Sequence, residues 1–341
     1  MFEALTTLIK AAMQAALPPS PEPLIADYYA RMEYHLGWRG SNLEPNQAEA
    51  GKLVRPVLAV LACEALGGKV EHALPLAAGL QLLHDFSLVH DDIEDHSAQR
   101  RGRATVWSLW GLEIGINVGD GMFAVAHRSL YRMVDAGVEP ATALLILQGF
   151  EETIMRICEG QHLDISGEGR FDVTTERYLA MIKRKTAALL AAATGLGARL
   201  ATNDAGQVEA MTRFGEALGM AFQVQDDLLD IWGEPTLTGK PRAVDLVQRK
   251  LSLPVIHALE HAMASDRVTF EHIYRQASVE ADDLPILLAI LLRTASEQAV
   301  AALADGYHRE AEQALAMIKP VNDAAFQQLQ QFTATLLGRQ R

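Results

Sequence analysis

Apolar residues recur along this chain at the three- and four-residue spacing of amphipathic helices. The stretch around Leu80, Leu83 and Phe86 is representative. Nowhere does an alternation of period two run long enough, in β-branched residues, to predict a strand, and no solenoid-type repeat is present. The pattern therefore predicts an all-α fold, a bundle of ten or more helices.

Proline, glycine and polar clusters divide this pattern into segments. The predicted helices before the last third of the chain are Phe2–Ala16, Ile25–Leu36, Gln47–Leu66, Pro75–Asp95, Thr105–Val134, Pro140–Asp164, Thr174–Arg199 and Gln207–Trp232. From Leu253 one helix follows another, with predicted breaks near Ser265, Asp282, Asp305 and Pro320. The run PPSPEP is the most linker-like in the chain, so residues 1–23 are interpreted as a helix and its linker.

The sequence LLHDFSLVHDDIED ends one predicted helix in a cluster of acidic residues. In a helix, Asp91 and Asp95 stand one turn apart, with Cβ atoms about 5–6 Å from each other, and His84 lies two turns earlier. Stacked carboxylates repel each other unless a cation lies between them, and Mg²⁺ takes oxygen ligands and shares its other positions with substrate phosphates. Arg100 and Arg101 follow, and guanidinium groups match phosphate oxygens bidentately. The stretch predicts a site for a metal-bound polyphosphate.

A second acidic cluster, in FQVQDDLLDIWG, repeats the spacing with Asp226, Asp227 and Asp230. A lone cluster of this kind is more often a solvated helix turn. Here both clusters follow apolar helical runs and precede basic residues, so the repetition favours a functional interpretation. In CEGQHLDIS, Gln161 and Asp164 could face the same metals, although a polar helix terminus explains them nearly as well.

Paired cations elsewhere are candidates for further phosphate contacts. Lys52 and Arg55, in GKLVRP, would be neighbours on a helix face and could hold a second diphosphate without a metal. A solubilising basic edge is the alternative. Lys185 precedes Thr186 and an alanine-rich tract, where it could cover a phosphate or simply extend its ammonium group to water. Lys240 and Lys250 lie in and after a turn-rich stretch.

Composition limits the classes of function. The chain has 341 residues, 49% of them hydrophobic, which allows one large helical domain or two ordinary ones. A formal net charge of −13 argues against nucleic acid as a partner. Cys63 and Cys158 are both expected to be buried thiols, consistent with a reducing compartment. Lys10 interrupts the apolar N-terminal stretch, which fits neither a signal peptide nor a spanning helix, so a soluble cytoplasmic protein is expected.

The two acidic motifs give the chain its family resemblance. Both have the spacing DDxxD, and the chain resembles the trans-isoprenyl diphosphate synthases from about Gly51 to Pro254. The resemblance implies an all-α, single-domain bundle over residues 1–341 around a central cavity. It also implies a homodimeric prenyltransferase that condenses an allylic diphosphate with isopentenyl diphosphate.

The resemblance assigns roles to individual residues. The implied Mg²⁺ ligands, for three ions on the allylic diphosphate, are Asp91, Asp92, Asp95, Asp226 and Asp230. The implied catalytic residues are Asp91, Asp95, Arg100, Lys185, Asp226 and Lys240. The implied substrate-binding residues are Lys52, Arg55, His84, Arg100, Arg101, Lys185, Thr186, Phe222, Gln223, Lys240 and Lys250. Two departures from the family pattern weaken single contacts: Leu53, where many members carry arginine, and Arg249, in place of a glycine.

Product length is expected to depend on Phe86 and Ser87, which lie about one turn before Asp91. In the resembling family a bulky residue at the nearer position stops chain growth early. Ser87 is small and Phe86 would close the tunnel deeper, so a twenty-carbon geranylgeranyl product is favoured, with a farnesyl or longer product as the alternative. An inert regulatory subunit and a terpene cyclase remain alternatives of other classes, but the complete motifs disfavour the first and the isopentenyl diphosphate residues the second.

Overall fold

The computed structural model of the protein describes residues 2–46, 51, 53–234 and 243–338. Lys52 and Lys240, both predicted site residues, lie outside these ranges. Well over ten helices form within them, so the predicted all-α fold is confirmed.

The helices up to residue 165 carry the first acidic motif. They are α1 (Glu3–Ala16), α2 (Ala26–His35), α3 (Val54–Ala65), α4 (Val70–Glu94), α5 (Val106–Trp110), α6 (Leu112–Asp135) and α7 (Pro140–Ile165). A 3₁₀ turn at Pro23–Ile25 precedes α2. Two short antiparallel strands, β1 (Gln99–Arg100) and β2 (Arg103–Ala104), form a hairpin after α4. The prediction of no strand at all is therefore wrong at this point, because two-residue strands are too short to leave an alternating pattern.

The helices from residue 175 onwards carry the second motif. They are α8 (Thr175–Ile182), α9 (Ala188–Ala201), α10 (Ala205–Trp232), α11 (Val244–Val247), α12 (Leu253–His261), α13 (Ala264–Tyr274), α14 (Asp283–Arg293), α15 (Ser296–Ala316) and α16 (Asp323–Leu337). A π-helical turn, Lys183–Ala187, joins α8 to α9.

The chain folds into two compact units. The first comprises Met1–Gln148, Leu196–Asn203 and Pro320–Ala325, and the second comprises Gly149–Gly195, Asp204–Lys319 and Phe326–Arg341. The single domain and the central cavity implied by the resemblance stay predictions.

The first unit is organised around the pairing of α4 with α6. Gly79 lets these helices approach, because a Cβ added there would lie 2.2 Å from Leu130 Cδ1 and 3.1 Å from the Ala126 carbonyl oxygen. Gly119 and Gly121 likewise leave room for side chains of neighbouring helices. An added Cβ would lie 2.3 Å from His90 Nε2 at Gly119 and 1.9 Å from the Tyr28 hydroxyl at Gly121. These contacts explain why α6 keeps glycines despite a helix-propensity cost of about 1 kcal/mol each.

The second unit buries α10 most extensively against α15. Where α10 meets the π-helical turn and α9, it contacts small residues. A Cβ added to Gly219 would lie 2.6 Å from Ala187 Cα, and one added to Gly215 would lie 2.9 Å from Ala191 Cα. The alanine-rich tract therefore permits close helix packing, as its composition predicts.

Several predicted boundaries are wrong for local reasons. Within the predicted helix Gln47–Leu66, Leu53 lies in the left-handed region and α3 begins at Val54, while residues 47–50 and 52 lie outside the described ranges. The helix predicted from Thr105 to Val134 breaks at Gly111, whose φ is 96°. The break predicted near Asp305 is absent because α15 continues through it, and the real break lies at Ala295.

The two cysteines differ in their exposure. Cys63 is buried as predicted, and burial raises the pKa of its thiol to about 12. Cys158 is exposed on α7, which corrects the expectation that it is a buried thiol.

Among the helices that the structure describes, no single one has the length and apolar character to cross a membrane; only the bent pair α14 and α15 would, on length and composition alone.

Candidate active site

The first acidic motif occupies the last turn of α4. The Asp95 backbone N–H donates to the Asp91 carbonyl oxygen at 2.8 Å and ends the helix. Asp91 is half-buried and Asp95 is exposed, so both carboxylates can be reached by solvent. The C-terminal end of a helix carries partial negative charge, which adds to the repulsion between them. This end of α4 therefore attracts a cation.

The middle residue of the motif, Asp92, has a different environment. It is only 1% exposed, and its Oδ1 accepts a hydrogen bond of 2.7 Å from Arg100 Nε. Burial raises the pKa of Asp92, while the Arg100 guanidinium acts against that rise. Asp92 thus holds Arg100 beside the motif, and its direct contact with a metal stays a prediction.

The β1–β2 hairpin presents Arg100 and Arg101. Its two-residue turn, Arg101 and Gly102, has φ values of 53° and 72°, the positive values that tight hairpins require. Arg103 anchors the hairpin by donating to the carbonyl oxygens of Tyr34 and Arg39, each at 2.9 Å. Arg100 and Arg101 therefore lie on a short hairpin that the hydrogen bonds of Arg103 hold in place.

A pocket of about 230 Å³ lies in the first unit beside this hairpin. Its lining includes the three hairpin arginines, Asp92, His35 and Gly51. A Cβ added to Gly51 would lie 3.1 Å from the Arg101 guanidinium, so this glycine leaves room for that side chain. With three guanidinium groups and one carboxylate, the pocket suits an anion.

Arg55, near the start of α3, adds a fourth guanidinium to this region. Burial, with Arg101 nearby, lowers the pKa of Arg55 to about 10, so the group remains charged at neutral pH. Its Nε is buried and has no hydrogen-bond partner among the described residues. An orphaned buried donor fits a site that an anion completes. Lys52 lies outside the described residues, so its predicted pairing with Arg55 stays a prediction.

Two histidines in this region are neutral. Burial and then the neighbouring arginines lower the pKa of His35 to about 3, and the same causes lower that of His84 well below its usual value. His84 was predicted from sequence, but His35 was missed because only the tertiary fold brings the end of α2 to the hairpin. The charged form of the imidazole is therefore disfavoured at both positions.

Asp85 is a second residue that the sequence did not single out. It is 5% exposed, accepts a 3.0 Å hydrogen bond from Gln81 Nε2, and has a pKa that burial raises to about 6. The charges of Arg55, Arg100 and Arg101 all act on it, so Asp85 is a counter-charge within the arginine cluster. The sequence feature that could have identified Asp85 is its position next to His84.

The second acidic motif lies at the end of α10. Asp226 is exposed, whereas Asp227 is 5% exposed and accepts three hydrogen bonds. They come from the Tyr178 hydroxyl at 2.6 Å, Gln223 Nε2 at 3.0 Å and the Leu253 backbone N–H at 3.2 Å. Burial raises the pKa of Asp227 to about 7, against the effect of these donors. Tyr178 was missed from sequence because it lies 49 residues away.

Asp230, one turn after Asp226, is tied to the segment that follows the motif. Its Oδ2 accepts a 2.7 Å hydrogen bond from the Asp245 backbone N–H, and its carbonyl oxygen accepts one of 2.7 Å from Ala243. The Asp245 carboxylate lies 3.7 Å from the exposed Lys250 ammonium. Lys250 is thereby placed near the second motif, while Lys240 lies outside the described residues.

Lys185 and Thr186 lie in the π-helical turn. Lys185 Nζ pairs with Asp164 Oδ2 at 2.6 Å, and the Thr186 hydroxyl donates to Gln223 Oε1 at 3.2 Å. Gly160 makes the approach of α7 possible, since an added Cβ would lie 2.3 Å from the Lys185 nitrogen. Single π-turns are frequent at functional sites. Thr186 thus connects through Gln223 to Asp227, whereas Lys185 is paired with Asp164. Phe222, beside Gln223, is half-buried.

Aromatic rings follow the first motif helix below its carboxylates. The Phe86 ring lies 5.0 Å from that of Phe123 on α6 and 4.9 Å from that of His90, centroid to centroid. Ser87 is half-buried and donates to the His84 carbonyl oxygen at 2.8 Å. Phe86 and Phe123 therefore form a bulky aromatic pair between α4 and α6.

The donor set fits Mg²⁺ shared with a ligand. Among the described residues, no three histidine, cysteine, aspartate or glutamate side chains could hold a metal ion by themselves. Mg²⁺ is usually bound through one or two carboxylates together with substrate phosphates and waters. Asp91 with Asp95, and Asp226 with Asp230, offer such incomplete oxygen sets.

Comparisons with known proteins agree with this chemistry. The family model described as polyprenyl synthetase matches residues 38–291. A geranylgeranyl diphosphate synthase of Mycobacterium tuberculosis is 42% identical over 226 residues, which cover 66% of this chain and 63% of that protein. A (2E,6E)-farnesyl diphosphate synthase of the same organism is 39% identical over 255 residues, covering 75% and 68% of the two chains.

Solved structures extend the similarity over nearly the whole chain. A polyprenyl synthetase from Streptomyces coelicolor superposes with a TM-score of 0.89 at 32% identity, covering 98% of each chain. A geranylgeranyl pyrophosphate synthetase from Pyrococcus horikoshii gives a TM-score of 0.88 at 28% identity, covering 99% of this chain and 97% of that one.

Proposed function

Because the chain belongs to the polyprenyl synthetase family and is therefore a trans-prenyltransferase, we propose that it condenses an allylic diphosphate with isopentenyl diphosphate, head to tail. The products are an all-E short-chain prenyl diphosphate and inorganic diphosphate. Geranylgeranyl diphosphate is the favoured product.

One observation carries the proposal. Near the end of a helix, each acidic motif leaves its first aspartate accessible to solvent, with Asp91 half-buried and Asp226 exposed, and buries its second aspartate in a hydrogen-bonded position. The solvent-accessible carboxylates Asp91, Asp95 and Asp226 would hold Mg²⁺, three ions in all, on the allylic diphosphate. The ions supply electrostatic stabilisation of the leaving diphosphate as its charge grows.

The cations of the chain then act directly on phosphate oxygens. Arg100, Lys185 and Lys240 would donate to the allylic diphosphate as its C–O bond breaks and the electron pair leaves with the diphosphate. Lys185 would exchange its ion pair with Asp164 for that contact. Placing fixed donors where charge develops lowers the barrier without reorganisation at the moment of reaction.

The second substrate would be held by a separate set. Lys52, Arg55, His84 and Arg101 would bind the diphosphate of isopentenyl diphosphate, and the orphaned Arg55 Nε supports this assignment. The double bond of isopentenyl diphosphate adds to the allylic carbon and forms the new C–C bond. The proton that isopentenyl diphosphate then loses passes to the departed diphosphate. Phe222 and Gln223 would face isopentenyl diphosphate.

Product length would be set below Asp91. Ser87 leaves room for the growing tail, and the Phe86–Phe123 pair would form the floor. Phe86→Ala should lengthen the product and Ser87→Phe should shorten it, with product sizing by chromatography as the measurement. An unchanged distribution in Phe86→Ala would place the floor elsewhere.

The decisive experiment is incubation of the purified protein with isopentenyl diphosphate, each allylic diphosphate in turn and Mg²⁺, followed by product sizing. A twenty-carbon product supports the proposal, and a fifteen-carbon product would favour the farnesyl alternative. Turnover without isopentenyl diphosphate would point to a terpene cyclase, and no turnover to an inert subunit. A homodimer, a cytoplasmic location and one domain over residues 1–341 are part of the same proposal.

A further inference from the structure

Two histidines on α12 form a pair that the proposed reaction does not use. His257 and His261 are one helical turn apart, and their rings stack with centroids 4.1 Å apart and planes at 18°. His261 is exposed and His257 is half-buried, so solvent reaches the pair. Two imidazoles in this relation present their nitrogens to one region of space.

The δ nitrogen of each ring is already engaged. His261 Nδ1 lies 2.9 Å from the His257 carbonyl oxygen, so it must carry the hydrogen and donate. His257 Nδ1 lies 3.0 Å from the hydroxyl of Ser296, the first residue of α15. In neutral His261, therefore, Nε2 carries a lone pair.

The hydroxyl network around Ser296 assigns the tautomer of His257. Thr294 Oγ1 donates back to the carbonyl oxygen of Ile290 or Leu291, at 3.0 and 3.1 Å. Its lone pairs therefore remain for the Ser296 hydroxyl, 2.8 Å away. Ser296 donates to Thr294 and accepts from His257 Nδ1, which leaves the His257 Nε2 lone pair available as well.

This arrangement is the one that metal-binding histidines adopt. A ligating imidazole almost always donates its other ring N–H to an oxygen, which fixes the ring and raises its basicity. Neither Nε2 has a hydrogen-bond partner among the described residues. We propose that His257 and His261 bind a divalent transition-metal ion, such as Zn²⁺, through their Nε2 atoms.

The surroundings define the class of ion. Imidazole nitrogen suits zinc, nickel and copper, whereas Mg²⁺ takes oxygen ligands, so this site is chemically distinct from the acidic motifs. A zinc ion bound by both rings would lie at the usual Zn–N distance of about 2.0–2.1 Å from each Nε2. No third protein ligand is present among the described residues, so water completes the coordination.

Glu260 supplies compensating charge beside the pair. Its carboxylate accepts hydrogen bonds from the Thr175 backbone N–H at 3.0 Å and from the Thr175 hydroxyl, which keep it off the metal. Burial and the neighbouring His261 lower the pKa of His257, and the negative charge of Glu260 acts against that decrease. A cation at the pair is thus favoured by a fixed carboxylate that does not ligate it.

Calorimetric titration of the full chain with Zn²⁺, in excess Mg²⁺, tests the site. We expect one Zn²⁺ per chain and a loss of affinity of at least about tenfold in His261→Ala and His257→Ala. Ser296→Ala should weaken binding less, because it removes only the support of one ring. The control is His272→Ala, which removes an exposed histidine from α13 and should leave binding unchanged.

A spectroscopic readout separates ligation from an indirect effect on the fold. With one equivalent of Cu²⁺, the electron paramagnetic resonance spectrum should show nitrogen coupling that is reduced in His261→Ala, an exposed position whose variant should fold normally. Zinc affinity equal to wild type in His261→Ala, or no zinc binding by the wild type, would overturn the proposal and leave the two rings as a stacked pair only.

Discussion

The two acidic motifs have the same spacing but support their middle carboxylates differently. On α4, Asp92 is paired with one charged group, the Arg100 guanidinium of the next hairpin. On α10, Asp227 accepts hydrogen bonds from three neutral donors on α8, α10 and α12. The same sequence motif is thus anchored locally by charge in one case and by tertiary contacts in the other.

This difference changes the electrostatics of the two regions. The Asp92–Arg100 pair is internally compensated, and the guanidinium opposes the rise in the pKa of Asp92. Asp227 has no such partner in the part of the chain that the structure describes, and burial raises its pKa to about 7. The first motif therefore depends on a fixed ion pair, and the second on hydrogen bonds that hold across several helices.

The largest expected effect tests whether the motifs are equivalent in spite of this difference. Asp91→Ala and Asp226→Ala should each lower kcat by at least about 10²-fold, because each removes a metal ligand rather than a core contact. Steady-state kinetics at saturating Mg²⁺, with circular dichroism to verify folding, is the measurement. Asp305→Ala, an exposed aspartate of α15, is the control. Full activity in either variant would contradict the metal assignment at that motif.

The next effect concerns the cluster of arginines beside α4. Arg55→Ala should raise the KM for isopentenyl diphosphate by about tenfold, the equivalent of 1.4 kcal/mol, with little change in the KM of the allylic substrate. The same shift is expected for Lys52→Ala. Each substrate is varied in turn, with Arg128→Ala on the exposed side of α6 as the control. If the allylic KM rises instead, the two diphosphate sites have been exchanged.

Local regularity explains what could be predicted from sequence. The spacing of Asp91 and Asp95 requires only that α4 be helical, and apolar periodicity establishes that. The same reasoning applies to Asp226 and Asp230 on α10. Helical geometry is local, so one chain segment is enough to position these carboxylates.

The remaining features depend on contacts distant in sequence or on single backbone angles. His35 and Tyr178 reach the site only through the packing of α2 and α8, and neither belongs to a motif. The hairpin turn at Arg101 and the π-turn at Lys185 each involve few residues, too few for a periodic signal. Leu53, with φ of 47°, directly precedes α3 inside the predicted helix, and no proline or glycine at that position indicates the irregular backbone.

The dependence of stability on pH sharpens the comparison further. The folded pKa of Asp227, about 7, lies above its ordinary 3.8, so the folded state binds the proton more tightly. Its stabilising contribution is complete below about pH 4 and is lost as the pH rises through 7. The free energy of unfolding of the wild type should fall relative to Asp227→Asn by about 1 kcal/mol per pH unit in this window.

Urea denaturation of both proteins at several pH values between 4 and 8 measures this difference. Asp282→Asn, in the exposed loop before α14, controls for the general effect of removing a carboxylate. A constant difference between wild type and Asp227→Asn would mean that Asp227 stays ionised, and that its three donors outweigh burial.

The smallest effect isolates one of those donors. Tyr178→Phe removes the 2.6 Å hydrogen bond to buried Asp227 and leaves those from Gln223 and Leu253. A hydrogen bond to a charged group contributes about 1.5–3 kcal/mol, and partial protonation of Asp227 near pH 7 places the expected loss in unfolding free energy near the lower value. Tyr307→Phe is a matched control. Tyr307 packs against the hydrophobic core that contains Tyr178, and its hydroxyl has no hydrogen-bond partner among the described residues. Asp226 itself is unchanged in Tyr178→Phe, so kcat should fall only modestly. Because Asp226 precedes Asp227 on the same turn, a loss of kcat approaching that of Asp226→Ala would show that Tyr178 positions the metal ligand.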